Sequence, residues 1–446
     1  MDSSDVTRER WRPLDRRTIR QHPVWRHLDA ATRETIDVVG RVLPFRTNAY
    51  VVENLIDWDN LPDDPIFQLT FPQSGMLAPA DYATLRDRIV GGADRATLDS
   101  TLTEIRYRLN PHPAGQLTAN VPTWRGQPLD GLQHKYRETV LLFPAAGQTC
   151  HAYCTYCFRW AQFTGGDLPR FATPTSDRAA AYLRAHPDVT DVLITGGDPL
   201  VMSTARLEAF LAPLLAVDTV RTLRLGTKAP AYWPQRFVSD PDADDLLRLI
   251  ERIVEGGRHV AVMAHLSHPV ELEPAIARRA LARIRSAGAE VRLQAPLIRH
   301  VNDDPALWAR LWAEAVRLGL VPYYLFVERD TGPRHYFEVP LDRAWRIFQD
   351  AYSRVSGLAR TVRGPVMSAF PGKVRVLGRV DIAGHDAFVL DLLQARDPAW
   401  VRRPFFARFD PAATFFDHLR TLDGQPFELA WFAEHLQHAP TVEATV

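Results

Sequence analysis

"TVLLFPAAGQTCHAYCTYCFRW", residues 139–160, begins as a strand and ends as a ligand set. Its first five residues are apolar or β-branched, the composition of a buried strand. Cys150, Cys154 and Cys157 follow within eight positions, and they are the only cysteines among 446 residues. Three thiols cannot all pair within one chain, and thiols of a reducing compartment stay free, so a disulfide framework explains them poorly. A strand that runs straight into a reactive loop is the habit of parallel α/β proteins, whose chemistry gathers at the carboxyl ends of strands.

Outward from this stretch the same pattern repeats. "DVLITGG" from 191, "TLRLGTK" from 222, "HVAVMAHL" from 259, "EVRLQAPLI" from 290 and "PYYLFV" from 322 complete six candidate strands. Between them, 177–186, 204–216, 241–256, 272–288 and 306–319 carry apolar residues at helical spacing. Six βα units predict an α/β fold with a partial parallel barrel over 139–373. The region 1–138 reads as mainly helical, with helices over 30–43 and 80–109 lying across the barrel. Residues 374–446 form a small mixed α/β extension, with a hairpin in "VRVLGRVDIAG" and short helices in "FFDHLRTL" and "LAWFAEHL".

The charge balance of 53 basic against 53 acidic residues offers no net field for nucleic acid or an anionic membrane. No run approaches the roughly 18 apolar residues of a membrane span, and the start "MDSSDVTRERWRPLDRR" is charged where a signal peptide would be apolar. The expectation is a cytoplasmic protein with a small-molecule partner.

Thiolates usually hold every iron of a cubane cluster, so a C-x3-C-x2-C set leaves one iron open. The amine and carboxylate of S-adenosylmethionine suit that vacancy, and an electron from the cluster can cleave the sulfonium to a 5′-deoxyadenosyl radical. A zinc site completed by His151, or three buried thiols without a ligand, are the alternatives. "LITGGDPL", 193–200, adds Gly196 and Gly197, which let backbone come close, and Asp198, which can accept from an ammonium group. A plain turn would use the same residues.

"GLQHKYRETVLLF", "CHAYCTYCFRW", "DVLITGGDPL", "LRLGTKAPAYWPQR", "HLSHPVEL", "LQAPLIRHVND" and "PYYLFVERD" occur in that order. Together they resemble the lysine 2,3-aminomutase family of radical S-adenosylmethionine enzymes, over about residues 40–375. The resemblance implies a partial (βα)6 barrel of TIM-like radical SAM type, a [4Fe–4S] cluster on Cys150, Cys154 and Cys157, S-adenosylmethionine, and pyridoxal phosphate. The implied reaction moves an amino group from the α to the β carbon of an amino acid. It implies that Arg159 grips the substrate carboxylate, a task suited to a guanidinium fork, and that His265, Gln294 and Asn302 lie near the adenosine. Each of those last three also suits a satisfied polar group closing the barrel rim.

Lys373 in "GPVMSAFPGKV" stands where the family carries pyridoxal phosphate, provided its amine is deprotonated enough to attack a carbonyl. The glycine run before it is shortened, and Lys135 and Thr139 replace two phosphate-binding arginines, with Arg137 nearby. Tyr136 matches the family, while Phe326 replaces a usual tyrosine. An aspartate that pairs with the distal ammonium of lysine aligns with Arg329, flanked by Glu328 and Asp330. An inward Arg329 predicts an acidic or neutral substrate such as glutamate; an inward Asp330 restores lysine or arginine. The other function classes are a radical enzyme without pyridoxal phosphate, which dehydrogenates, epimerises or modifies another carboxylate-bearing substrate, and a zinc- or cluster-containing interaction protein. The implied partners are a reductant such as flavodoxin or ferredoxin and a second copy of the chain.

Overall fold

Residues 11–110, 120–164, 171–382 and 384–436 are described by the computed structural model. Among them one mixed sheet has eleven strands: β1 (Leu132–Tyr136), β2 (Thr139–Leu142), β3 (Asp191–Ile194), β4 (Thr222–Thr227), β5 (His259–His265), β6 (Glu290–Leu297), β7 (Val321–Val327), β8 (Arg363–Ser368), β9 (Gly372–Ile382), β10 (His385–Ala395) and β11 (Phe405–Arg408). Neighbours in the chain are neighbours in the sheet. Strands β2 to β8 are parallel, as connections through helices require, while β1 and β9 to β11 are antiparallel to their neighbours. The six expected strands are β2 to β7. Strands β1 and β8 were hidden: "LQHKY" is polar, and the Gly364–Pro365 pair in β8 reads as a turn. β1 also places strand structure inside the 1–138 region expected to be mainly helical.

Helices Asp177–Arg184, Thr204–Leu215, Ala243–Glu255, Ala275–Ser286 and Pro305–Arg317 fill the connections within a few residues of the expected bounds, and Leu341–Ser353 adds one the periodicity did not single out. Ala243–Glu255 shows why the pattern works: Leu246, Leu247, Leu249, Ile250 and Ile253 are buried while its charged residues face water. Fully burying each such side chain contributes about 1.5–3 kcal/mol. Pro305 at the first helical position and Asp304, accepting from Ala306 N at 2.8 Å, set the start of another.

Two helical expectations need correction. The stretch 80–109 is two helices, Pro79–Val90 and Arg95–Leu109, because Gly91 and left-handed Gly92 (φ 67°) end the first and Asp94 caps the second. "FFDHLRTL" forms only a single turn, Phe416–His418, since Phe416 is drawn against Phe427 and Phe432 in a separate core around β9 to β11. The hairpin β9–β10 and the helix Leu429–Leu436 form as expected.

The N-terminal region is laid directly on the cysteine loop. Trp11 Nε1 and Asn48 Nδ2 both donate to the His151 carbonyl (3.0 and 3.1 Å), Tyr153 N donates to Arg46 O (2.8 Å) and Thr155 N to Leu69 O (2.9 Å). At the far side, Lys135 of β1 donates to the carbonyl of Ala369, just after β8, and Arg396 donates to Asn120 Oδ1 at 2.5 Å. The two ends of the parallel set are thereby drawn together. No described helix is long and apolar enough to cross a membrane.

Candidate active site

The loop after β2 carries the cysteines, the turn after β3 carries Gly196 to Asp198, β5 ends in His265, and β7 leads into residues 328–332. These are carboxyl ends of parallel strands, so the sequence motifs do share one rim. The three thiols are free; Cys150 senses the charge of both others and Cys157 that of Cys154. Burial pushes Cys157 up to about 12, with Cys154 adding to the effect; Cys150 is raised further by burial together with Asp198. A multiply charged iron centre would reverse that order and hold them as thiolates, because only the thiolate binds metal. Among the described residues no three His, Cys, Asp or Glu side chains close on a single ion. A single zinc ion needs its sulfurs about 2.3 Å from one point, whereas a cubane offers separate corners.

The β3 turn is packed on this loop. A Cβ at Gly197 would collide with the backbone of Thr149, next to Cys150, and Gly196 has φ 141°, so both positions require glycine. Asp198 behaves differently from the expectation. Its carboxylate accepts from Thr227 Oγ1 (2.7 and 2.8 Å), Leu200 N (2.9 Å) and Lys228 N (2.9 Å), tying β3 to β4. Burial raises it to about 6 against those donors. What the turn offers a ligand is therefore close backbone, with the carboxylate spent as a brace. Asn302 is likewise occupied, donating to Ser267 O and Pro296 O at 3.0 Å and accepting from Ile298 N at 2.8 Å. It is a buried strut of the rim.

His265 Nδ1 lies 3.1 Å from Tyr156 Oη, and burial followed by the Lys228 charge lowers the ring to about 3, which keeps it neutral. Gln294 lies in register between His265 and Tyr324. Beside them lies a pair not among the expected site residues: Lys228 Nζ meets the fully buried Glu271 at 2.6 Å and the His265 carbonyl at 3.0 Å. The lysine of "GTKAP" and the glutamate of "HPVEL" were the available signal.

Arg159 is buried, stacks 4.3 Å over Phe143 and donates to Gln148 at 3.1 Å, yet its Nε has no acceptor. Burial lowers it to about 10, so an incoming carboxylate relieves a charge already short of partners. Arg329 is placed similarly: its guanidinium lies 5.6 Å from the Phe158 ring and its Nε is buried without an acceptor. Unlike Arg159 it is only partly buried, its side chain 37% exposed, though its charge reaches Lys135 and Tyr136. Asp330 pairs with it loosely at 3.6 Å. Glu328, just before, is buried with both carboxylate oxygens unpartnered, and burial together with Glu338 raises it well above the usual carboxylate range.

Lys373 leaves β9 near the carboxyl end of β8. Its Nζ donates to Gln394 Oε1 at 2.7 Å and sits 4.6 Å from the Tyr324 ring and 5.6 Å from that of Tyr136. Burial, then Arg224 and Arg363, lower the amine to about 7. Lys135 is also lowered to about 7, by burial and then Arg396, Arg329 and Lys373. Tyr136 Oη is buried without a hydrogen-bond partner. Arg137 turns away to Asp188 (3.1 Å), so it does not replace the cation missing at Thr139. A buried lysine with a lowered amine, a second buried cation and the buried Tyr136 phenol make a set whose chemistry fits pyridoxal phosphate.

No family model matches the chain. Over 386 residues it is 31% identical to a putative L-lysine 2,3-aminomutase of Aquifex aeolicus (strain VF5), covering 86% of this chain and 90% of that one. It is 30% identical over 233 residues to the L-lysine 2,3-aminomutase of Fusobacterium nucleatum, covering 52% of each, and 30% identical over 244 residues to that of Escherichia coli (strain K12), covering 52% and 66%. The chain thus spans about half to two thirds of these two relatives. Among solved structures, a radical SAM methyltransferase from Sphaerobacter thermophilus superposes with TM-score 0.34 at 19% identity, covering 53% of this chain and 68% of that one.

Proposed function

The chain belongs to the lysine 2,3-aminomutase family of radical S-adenosylmethionine enzymes, and on that premise we propose that it moves the α-amino group of an acidic amino acid, glutamate in kind, to the β carbon. The observation that carries the substrate class is Arg329: its side chain is about a third exposed (37%), but its Nε is buried without a hydrogen-bond acceptor and its charge reaches Lys135, so an ammonium substrate there would meet like charge.

Cys150, Cys154 and Cys157 would hold the [4Fe–4S] cluster, the Gly196–Gly197 backbone with His265 and Gln294 would hold S-adenosylmethionine, and Lys373 with Lys135 and Tyr136 would hold pyridoxal phosphate. When bound, these groups supply an adenosyl radical and a covalent anchor for the amino acid. Arg159 fixes the α-carboxylate through its fork and Arg329 fixes the side-chain carboxylate, so the carbon chain is stretched between two cations. Lys373, with its amine near 7, presents a free base at neutral pH and exchanges a proton there. The proposal extends to a partial (βα)6 barrel over 139–373, made by β2 to β7, between the regions 1–138 and 374–446. It also extends to a cytoplasmic location, a protein reductant of the flavodoxin or ferredoxin kind, and a homo-oligomer.

One observation favours a second reading. Because Arg137 points away and Thr139 carries no charge, the phosphate cradle is thinner than the family's, which suits a radical enzyme that works without pyridoxal phosphate. Anaerobic reconstitution with iron, sulfide and pyridoxal phosphate, then incubation with S-adenosylmethionine and a panel of amino acids, separates the readings. β-Glutamate as the main product supports the first; a modified substrate formed equally without pyridoxal phosphate supports the second.

A further inference from the structure

Arg16, Arg17, Arg20 and Arg41 line a surface cavity of about 430 Å³ in the N-terminal region. Their clustering stands against the composition of the chain. The full sequence has a formal net charge of zero, yet residues 11–46 hold eight arginines and four acidic residues. Within the cavity, Arg16 (3.5 Å) and Arg20 share the single carboxylate of Asp37, and Arg41 Nε is buried without an acceptor. Burial and the Arg41 charge also make Arg16 a weaker base than usual. A surface built only to fold would gain nothing from this crowding, because exposed ion pairs stabilise little and like charges oppose one another.

The position of this patch gives it a use. The strand Pro13–Asp15, immediately before Arg16, pairs with Arg46–Asn48, and Asp15 lies opposite Arg46. Arg46 donates to Thr149 Oγ1, accepts from Tyr153 N through its carbonyl at 2.8 Å, and stands 4.9 Å from the Tyr153 ring and 5.8 Å from that of Trp11. Trp11 in turn donates to the His151 carbonyl at 3.0 Å. Thr149, His151 and Tyr153 flank Cys150 and Cys154. The arginine-rich face is thus separated from the cysteine loop by one pair of short strands and the Trp11–Arg46–Tyr153 stack.

We propose that the face formed by Arg16, Arg17, Arg20 and Arg41 docks an acidic one-electron donor protein, which reduces the iron–sulfur centre held by the three cysteines. The inference rests on the radical S-adenosylmethionine reading of the site. One electron leaves the reduced donor, which is oxidised, and enters the centre; no atom is transferred. Charge complementarity selects the partner, since a patch of one sign steers an oppositely charged surface and raises association rates 10- to 1,000-fold at low salt.

The test uses the apo protein as well as the reconstituted one. Binding of an acidic flavodoxin is measured by calorimetry at low and high salt, for wild type, for Arg17→Glu/Arg20→Glu, and for Arg184→Glu/Arg206→Glu, an equal charge reversal on exposed helix residues elsewhere. The expected result is binding weakened at least tenfold, with its salt dependence flattened, in the first variant only. In the reconstituted enzyme, reduction by flavodoxin slows correspondingly while S-adenosylmethionine cleavage driven by dithionite is unchanged, which also shows that the variant is folded. Should a free anion such as phosphate bind the patch and flavodoxin not, or both variants weaken binding alike, or dithionite-driven cleavage fall in parallel, the docking proposal is overturned. Absence of dithionite-driven cleavage in the wild type would instead remove the reading of the site.

Discussion

Replacing Gln394 by Glu changes one atom at the hydrogen-bond partner of Lys373 and reads the state of its amine. The amide oxygen now accepts from Nζ at 2.7 Å; a carboxylate there stabilises the ammonium form. An opposite charge at this range raises a lysine by about 1–3 units. Starting from about 7, the wild-type amine is roughly three quarters neutral at pH 7.5. A shift of about two units leaves roughly 3% neutral, a loss of about 25-fold in reactive amine. Covalent capture of pyridoxal phosphate, followed by absorbance in the apo protein from pH 6 to 10, measures that fraction. Capture by wild type should rise through pH 7 and level off above 8, and Gln394→Glu should move the midpoint upward by about two units with the same plateau. Capture that climbs through pH 10 in the wild type, as for a solvated lysine, or an unmoved midpoint in the variant, would refute the reasoning. Lys373→Ala should abolish the band.

Other substitutions test separate parts of the site. Arg329→Asp replaces attraction for an acidic side chain by repulsion, moderated by solvent at a side chain that is about a third exposed, so kcat/KM for glutamate should fall by about 10-fold or more, chiefly through KM, with activity toward lysine gained. Gly197→Ala drives a methyl group into the Thr149 backbone; reconstituted iron content should drop and stability fall by about 1–3 kcal/mol, both read by iron analysis and thermal melting. Glu328→Gln addresses a carboxyl that burial keeps protonated in the folded chain. The unfolded chain releases that proton above its ordinary range near 4.5, so the wild type loses stability as pH rises from there toward the raised folded value. The variant should therefore melt at a similar temperature to wild type near pH 4 and at a higher one at pH 8.

The βα alternation was legible because burial on both faces of parallel strands leaves continuous apolar runs, and "HVAVMAHL" or "DVLITGG" has no other economical reading. The break between two helices at Gly91–Gly92 is also written in the sequence, but in the glycine pair and not in the apolar periodicity, which runs on across it. Side-chain direction was not legible. Asp198 and Asn302 have the right residue types at the right strand ends, yet packing turns their polar atoms onto Thr227, Ser267 and Pro296. Arg137 lies two residues after Lys135 but in the turn that follows β1, beyond the strand's alternation, and there it pairs with Asp188. The depression of Lys373 depends on burial and on Arg224 and Arg363, which β4 and β8 contribute from more than a hundred residues and about ten residues away in the chain, so no local pattern around Lys373 announces it.

Cluster content decides the central claim. Protein reconstituted under strict exclusion of oxygen, reduced with dithionite and mixed with S-adenosylmethionine and glutamate should contain about four irons on its three cysteines, one of them free of protein thiolate, and should yield 5′-deoxyadenosine together with β-glutamate. A tightly held zinc ion in place of iron, or a four-iron centre that leaves S-adenosylmethionine intact, would contradict it.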